Sequence, residues 1–277
     1  MRHLRLPSGG ELPVLGQGTW GMGEDPSAHA AEVTALRHGL DLGTGLIDTA
    51  EMYGSGGAER VVGAAIEGRR DEVFLVSKVL PHHADRAGTV RACEQSLRRL
   101  GTDRIDLYLL HWRGGVPLEQ TLEAFTELWE SGKIGEFGVS NLDTDDMREL
   151  RSLAGGEACA TDQVLYNLSR RGPEYELLPW CRDHGIPVMA YSPIEQGRLL
   201  DDPVLRRVAE DHGASPARVA VAWVLAGGGL CAIPKATKLA HVEENRAALD
   251  LRLTEEDLRV LNERFPPPEG RTPLELL

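Results

Sequence analysis

Long apolar segments are missing from this chain of 277 residues. No window approaches the roughly 18 continuous apolar residues of a membrane-spanning helix, and the opening stretch MRHLRLPSGG lacks the apolar core of a signal peptide. Cysteine is scarce too: the 4 cysteines, Cys93, Cys159, Cys181 and Cys231, lie far apart and form no C-x-x-C pair. We therefore expect reduced structural thiols, a cytoplasmic location and no membrane partner.

Positive charge is also in short supply. The 30 Lys and Arg residues are outnumbered by 43 Asp and Glu, which gives a formal net charge of −13. Such a chain is repelled by nucleic acid and by anionic membranes, so neither is an expected partner. If the protein binds a phosphorylated ligand, a local group of positive side chains must overcome the overall negative field.

The apolar segments that are present are short, and they alternate with longer amphipathic ones. Residues 3–6 and 11–15, separated by a Pro-Ser-Gly-Gly turn, predict an N-terminal β-hairpin. Strand candidates then recur about every 30 residues, and almost every gap between them has the spacing of a helix. Counting VLGQGT as the first, they lie near positions 14, 45, 73, 105, 134, 161, 187 and 230.

Strands that are apolar throughout belong to a parallel sheet covered by helices on its faces. Eight βα units in about 250 residues predict an α/β fold, the (β/α)8 TIM barrel. A doubly wound open sheet is the alternative. No change of composition marks a second domain, so residues 1–277 are expected to form a single barrel domain.

Polar side chains end one predicted strand after another. In a (β/α)8 barrel the reactive groups lie at the carboxyl ends of the strands, so these side chains would meet on one rim. Along the chain they are Asp48, Lys78, His111, Ser140, Asn141, Gln163, Tyr191 and Lys235.

A glycine motif offers a competing candidate for a cofactor site. Gly16, Gly18 and Gly21 match the G-x-G-x-x-G fingerprint, which needs a helix N-terminus directly behind it to receive a pyrophosphate. Here Glu24 and Asp25 follow, with the wrong sign of charge, and the next helix is expected only after Pro26. We therefore interpret the motif as a tight turn at the barrel rim, from which Trp20 points into the mouth of a pocket.

Three of the rim residues, together with Tyr53 in the loop after Asp48, suggest carbonyl reduction. A phenol with an ordinary pKa near 10 is a poor proton donor at neutral pH, and a nearby ammonium group stabilises its phenolate. Lys78 could do this for Tyr53, Asp48 could hold Lys78 in its charged form, and His111 could orient the carbonyl oxygen. The hydride must come from a nicotinamide cofactor, because no side chain supplies one.

At this point the chain resembles the aldo-keto reductase family, and within it the bacterial branch that reduces small aldehydes such as methylglyoxal. The matching stretches follow the family's order over nearly the whole chain. They are GQGTW, DTAEMYG, VSK ending at Lys78, LLHW, GVSN, Gln163 in DQVLY, AYSP and IPK ending at Lys235.

The resemblance implies reduction of small aldehydes and ketones in a barrel that binds extended NADPH without a Rossmann fold. Tyr53 would donate the proton, Lys78 and Asp48 would tune it, and His111 would orient the substrate. The cofactor positions are Ser140, Asn141 and Gln163 for the carboxamide, Tyr191 for the nicotinamide ring, then Ser192 and Pro193, Lys235 for the 2′-phosphate, and Glu244 and Asn245 for adenine. Lys235 and Lys238 supply the local positive charge that an acidic chain needs.

Two departures weaken the expectation of strict NADPH use. Ala236 stands where many relatives have a hydroxyl residue, and His241 stands where NADPH-dependent relatives usually carry Arg. A neutral imidazole cannot donate two parallel hydrogen bonds to a phosphate, as an arginine can. We therefore expect NADP(H) to be the preferred cofactor and NAD(H) to be possible. The short segment 250–277, which shapes substrate choice in the family, implies an open pocket.

Several alternatives stay open at this level. Ser140 and Asn141 could cap the helix that enters at Asp143, and Trp20 and Trp112, assigned to the substrate pocket, could be core aromatics. The protein could also be a cofactor-binding redox sensor or regulatory subunit with slow incidental activity. A metal-dependent hydrolase is disfavoured, since no His/Asp ligand cluster ends the strands, and no metal is expected. We expect a monomer acting on a small carbonyl substrate.

Overall fold

A computed structural model describes residues 2–277 and contains an eight-stranded parallel sheet that closes on itself. The sheet order is β3 to β10 in sequence, and parallel bridges from Leu15 to Ala232 and from Gly18 to Lys235 join its two edges. The strands are β3 (Gly16–Gly18), β4 (Leu46–Asp48), β5 (Phe74–Val79), β6 (Ile105–Leu110), β7 (Ile134–Ser140), β8 (Asp162–Leu165), β9 (Val188–Tyr191) and β10 (Leu230–Ala232). The predicted (β/α)8 barrel is thus confirmed, and the doubly wound alternative is wrong.

Helices follow the strands and cover the outside of the barrel. They are α1 (His29–Asp41), α2 (Gly57–Ile66), α3 (Arg86–Leu100), α4 (Leu118–Glu130), α5 (Thr144–Ser152), α6 (Leu177–Asp183), α7 (Pro203–Asp211), α8 (Pro216–Ala226), α9 (Leu239–Ala247) and α10 (Glu255–Arg264). α10 was not predicted from the sequence; Thr254 is its N-cap residue and forms a capping box with Asp257. Among residues 2–277, no helix combines the length and apolar character needed to cross a membrane.

The predicted N-terminal hairpin is present as β1 (His3–Arg5) and β2 (Glu11–Pro13), paired antiparallel. Leu6 and Leu12 are buried in one cluster with residues of the barrel strands, among them Leu46, Leu107 and Met189. The hairpin therefore shares an apolar core with the barrel wall, while the helices pack on a second, larger cluster.

The glycine motif is part of the barrel seam, and the predicted turn is correct only for its last glycine. Gly16 and Gly18 lie in β3, whereas Gly21 has a φ of +76° in the loop that follows. A Cβ atom on Gly16 would lie 2.2 Å from Leu46, and one on Gly18 would lie 2.7 Å from the carbonyl oxygen of Ile233. The glycines are needed because neighbouring strands approach closely where the barrel closes.

Asp162 on β8 is a carboxyl group in an unfavourable position. It is fully buried, and neither of its oxygens has a hydrogen-bond partner of good geometry. Burial raises the pKa of Asp162 well above its usual range, and the nearby Leu142 backbone N–H offsets only part of this effect. Burial therefore favours the neutral form of this carboxyl group in the folded protein, whereas it ionises freely in the unfolded chain.

This arrangement predicts that Asp162→Asn stabilises the protein at neutral and higher pH. The folded wild type binds a proton that the unfolded chain releases above about pH 3.9, so its stability falls by about 1.4 kcal/mol per pH unit up to the folded pKa. Denaturant unfolding at pH 4 and pH 8 measures the effect: the variant should gain over wild type only at pH 8. Asp71→Asn, at a side chain that is 93% exposed, is the control. An equal difference at both pH values would contradict the assignment.

Candidate active site

A cavity of about 800 Å³ opens at the carboxyl ends of the barrel strands. All the residues predicted for catalysis, cofactor and substrate line it, except Lys78, which is completely buried. The structure therefore brings together side chains that are separated by up to about 225 positions in the sequence. Its size fits a site for a large organic cofactor and a small substrate.

Lys78 lies at the centre of the predicted catalytic group. Its ammonium nitrogen donates to Asp48 Oδ1 at 2.7 Å, to the Thr49 carbonyl oxygen at 2.9 Å and to the Tyr53 hydroxyl at 3.4 Å. Asp48 ends β4, Lys78 lies near the end of the adjacent β5, and Tyr53 follows in the loop after β4. The Asp48 and Lys78 side chains are 3% and 0% exposed, so the ion pair is sealed from water.

Burial and charge act in opposite directions on this group. Burial alone would lower the pKa of Lys78, but the charges of Asp48 and Tyr53 outweigh it and raise the pKa, so the ammonium form persists. Burial raises the pKa of Tyr53 above its usual value, and Lys78 offsets only part of that rise. The expected net acidification of Tyr53 is therefore absent: the phenol is firmly protonated at neutral pH, and Lys78 limits the cost of ionising it.

His111 follows β6, and its ring meets the Tyr53 ring edge-on, with centroids 5.8 Å apart. Burial and the charge of Lys78 lower the pKa of His111 to about 3, so the imidazole is neutral at physiological pH. Its Nδ1 atom is buried without a hydrogen-bond partner. A neutral imidazole can orient a carbonyl oxygen through a hydrogen bond without carrying charge into the site.

The positions predicted to hold the nicotinamide, at the ends of β7, β8 and β9, form a connected polar network. Ser140 donates to the carbonyl oxygen of Gln163, Asn141 donates to the carbonyl oxygen of His111, and the Tyr191 hydroxyl donates to Asn141. Gln163 reaches across the barrel to donate to Asp48 Oδ2 at 2.8 Å. The network therefore links the predicted cofactor positions to the Asp48–Lys78 pair.

The alternative role for Ser140 and Asn141 as helix caps is wrong. Asp143 caps α5 itself, because its carboxylate accepts from the backbone N–H groups of Asp145 and Asp146. Asn141 instead adopts a left-handed conformation with φ of +59°, which Asn tolerates better than most residues. Asn141 has this backbone conformation and its side chain lines the cavity.

The loop after β9 lines the cavity more extensively than the sequence analysis predicted. Beyond Ser192 and Pro193, the chain contributes Ile194, Gln196, Gly197 and Leu200. Three non-glycine residues in this loop have positive φ, namely Ser192, Glu195 and Gln196. Nothing in their side-chain types signals this conformation, so the extent of the site along this loop could not be predicted from the sequence.

The far end of the cavity holds the residues predicted for phosphate and adenine. Lys235 and His241 are both exposed and line it, together with Glu244 and Asn245. Lys238 occupies the N-cap position of α9, makes no capping hydrogen bond with its side chain and does not line the cavity. Glu244 Oε2 is a buried acceptor with no donor, as expected for a group that receives an N–H from a bound ligand. Ser215, at the N-terminus of α8, also lines this region, and its serine-proline cap is a signal that the sequence analysis left unused.

The mouth of the cavity is apolar. Trp20 and Trp112 line it as predicted, and Trp20 is 56% exposed, which excludes a core role for its ring. Met52, Leu276 and Leu277 also line the cavity. In the part of the chain that the structure describes, no three His, Cys, Asp or Glu side chains group in a way that could hold a metal ion.

Comparisons with known proteins agree with this geometry. The sequence profile of the aldo/keto reductase family matches residues 14–264. The methylglyoxal reductase YeaE of Escherichia coli K12 is 53% identical over 271 residues, covering 96% of this chain and 95% of that enzyme. The glyoxal reductase of Bacillus subtilis is 34% identical over 258 residues, covering 92% of this chain and 90% of its own length.

Solved structures give the same result. An aldo-keto reductase from Klebsiella pneumoniae in complex with NADPH is 51% identical and superposes with a TM-score of 0.97, covering 100% of this chain and 99% of that one. A thermostable aldo-keto reductase, Tm1743, in complex with the inhibitor epalrestat is 39% identical, with a TM-score of 0.89 over 95% of this chain and 99% of that one. This chain, with its closed barrel and its buried lysine at the rim, belongs to the aldo/keto reductase family.

Proposed function

We propose that this protein reduces small aldehydes and ketones to alcohols, with NADPH as the preferred source of hydride. The observation that carries the proposal is the position of Lys78, which is fully buried between the Asp48 carboxylate and the Tyr53 hydroxyl beneath a large cavity. A protein that only binds a cofactor does not need a buried charge aimed at a phenol. The names of the E. coli and B. subtilis relatives support methylglyoxal-like substrates.

In this proposal, the catalytic residues of the chain act on the carbonyl oxygen of the substrate. His111, neutral and facing Tyr53, donates a hydrogen bond that orients the carbonyl oxygen. Tyr53 gives its proton to the same oxygen while negative charge develops there, and Lys78 stabilises the resulting phenolate. Asp48 keeps Lys78 charged and in place. When bound, the nicotinamide supplies the hydride that the carbonyl carbon accepts.

The cofactor contacts are proposed from the same cavity. Ser140, Asn141 and Gln163 would hold the carboxamide, and Tyr191 would stack on the ring and so fix the face presented to substrate. Ser192 and Pro193 would follow the cofactor towards its adenosine half. There Lys235 would pair with the 2′-phosphate, and Glu244 and Asn245 would contact adenine. The buried Glu244 Oε2 atom, which has no donor within the protein, would accept a hydrogen bond from the adenine.

Substrate choice is proposed to depend on the apolar mouth. Trp20 and Trp112, together with Met52, would exclude water from the reacting carbonyl and accept short apolar or aromatic groups. The sealed Lys78 already has its partners, so a negatively charged substrate finds no free positive group beside Tyr53.

We also propose that the whole chain is one barrel domain acting as a cytoplasmic monomer. The eight barrel strands form a single sheet, and the catalytic group is complete within one chain. All four cysteines are buried unpaired thiols, which suits a reducing compartment.

Tyr53→Phe tests the proton donor. Removing the hydroxyl while keeping the ring should lower kcat for methylglyoxal reduction by about a hundredfold or more, since general acid catalysis supplies about 10²–10⁴. The affinity for NADPH, followed by quenching of tryptophan fluorescence, should be nearly unchanged. Tyr175→Phe, at a half-exposed tyrosine outside the cavity, is the control. Turnover within a few-fold of wild type would show that another group donates the proton.

His241→Arg tests the cofactor end of the cavity. His241 is exposed and lines the wall near Lys235, so an arginine there can grip a 2′-phosphate with two hydrogen bonds. The ratio of kcat/KM for NADPH over NADH should rise about tenfold, which corresponds to roughly 1.4 kcal/mol. His184→Arg adds the same charge on an exposed residue that does not line the cavity. If both variants change the ratio equally, the effect is one of overall charge and the assignment is wrong.

A further inference from the structure

Glu51 is a buried carboxylate two residues before Tyr53. Its side chain is 7% exposed. Its Oε1 atom accepts from the Leu80 backbone N–H at 2.8 Å and meets His83 Nδ1 at 3.0 Å. Both partners lie just beyond the end of β5, the strand that carries Lys78. The carboxylate therefore joins the Tyr53 loop to the segment that follows Lys78.

The backbone around Glu51 makes the same connection. The Thr49 N–H donates to the Val76 carbonyl oxygen at 2.9 Å, and the Glu51 N–H donates to that of Lys78 at 3.4 Å. This ladder ends at Glu51, because the Tyr53 N–H turns back to donate to the Ala50 carbonyl oxygen. The Glu51 carboxylate thus continues the attachment of the Tyr53 loop to the β5 end beyond the last backbone hydrogen bond.

The loop beyond this point is strained. Directly after Tyr53, Gly54 and Ser55 have φ values of +55° and +50°, and the second of these is unfavourable for a residue with a side chain. Such a conformation persists only where the surrounding contacts fix it. The Tyr53 hydroxyl also makes the longest of the three hydrogen bonds to Lys78, at 3.4 Å, so a small movement of the loop would break it.

We propose that Glu51 is a positioning residue that fixes the distance between the Tyr53 hydroxyl and the Lys78 ammonium group. It touches neither group and acts through the loop, by holding residues 49–53 against the end of β5. The inference rests on the proposed function, because the distance matters only if Tyr53 and Lys78 act together.

The groups that face Tyr53 define what its displacement would change. They are Lys78, whose ammonium group lies 5.0 Å from the centre of the phenol ring, Asp48 paired with that ammonium group, the neutral His111, whose ring meets the phenol edge-on, and Tyr191 of β9. Lys78 is the group among these that favours the phenolate. If the loop moves outwards, the attraction of Lys78 for the phenolate weakens and the proton becomes harder to release.

Three variants test the proposal, and a fourth, Glu72→Gln, is the control. Glu51→Ala removes both side-chain contacts, and it should lower kcat by between about tenfold and a hundredfold, the scale expected when a reacting group moves by about 1 Å. Glu51→Gln keeps an oxygen acceptor for the Leu80 N–H and should recover most of that loss. His83→Ala removes only the second contact and should have a smaller effect. Glu72→Gln removes an exposed carboxylate before the other end of β5 and should leave kcat unchanged.

Two measurements distinguish a displacement of Tyr53 from a general disruption of the fold. The dissociation constant for NADPH should stay within about twofold of wild type in all variants. The alkaline absorbance change of Tyr53, obtained as the difference between each protein and its Tyr53→Phe counterpart, should move to higher pH in Glu51→Ala and return towards wild type in Glu51→Gln.

The outcomes are distinct. Wild-type protein that turns over no carbonyl would overturn the proposed function. Active wild type with an unchanged kcat or an unshifted Tyr53 titration in Glu51→Ala would overturn this inference alone. A fall in kcat together with weaker NADPH binding in Glu51→Ala, without recovery in Glu51→Gln, would also overturn it, since the residue would then support the fold generally.

Discussion

The buried ion pair between Lys78 and Asp48 is the interaction on which the rest of the site depends. Two charges with almost no exposure to water cost several kcal/mol to bury, and their attraction repays that cost only when every remaining donor and acceptor is also satisfied. Here the Thr49 carbonyl oxygen and the Gln163 amide supply the missing hydrogen bonds. Such a pair adds little to stability, so its presence beneath an open cavity indicates a chemical purpose.

The barrel makes this pair possible by bringing strand ends together. β4 and β5 are parallel neighbours in which Asp48 pairs with Val76. Lys78 lies two residues further along β5, on the same face as Val76, so its ammonium group reaches Asp48, and Gln163 arrives from the opposite wall. The seam between β3 and β10 closes tightly because Gly16 and Gly18 carry no side chain. The glycine motif thus serves the site indirectly, by closing the wall to which the polar side chains are attached.

The sequence analysis succeeded where a residue type and a strand end coincide. Asp48, Lys78 and His111 each follow a short apolar run, so their meeting on one rim followed from the parallel sheet. It failed where the backbone departs from regular structure: the positive φ values of Ser192 and Gln196 leave no pattern in the sequence, so the extent of the loop wall was missed.

Burial was the other quantity that the sequence could not supply. Position alone suggested that Lys78 makes Tyr53 more acidic, but the structure shows that the loss of water around the phenol outweighs that charge. The same limit applies to Asp162, which looks like any strand residue until its isolation is seen. The role of Glu51 could not be predicted from the sequence either, because its partners Leu80 and His83 are about 30 positions away.

The double variant Asp48→Asn/Lys78→Met tests the central claim most directly, because it replaces the buried charges with neutral groups of similar size. Kinetics of methylglyoxal reduction with NADPH is the measurement, with urea unfolding to show that the variant is folded. The account predicts a folded protein, with a free energy of unfolding within about 2 kcal/mol of wild type, and a kcat at least about a hundredfold lower. A folded variant that retains a kcat within a few-fold of wild type would contradict the account.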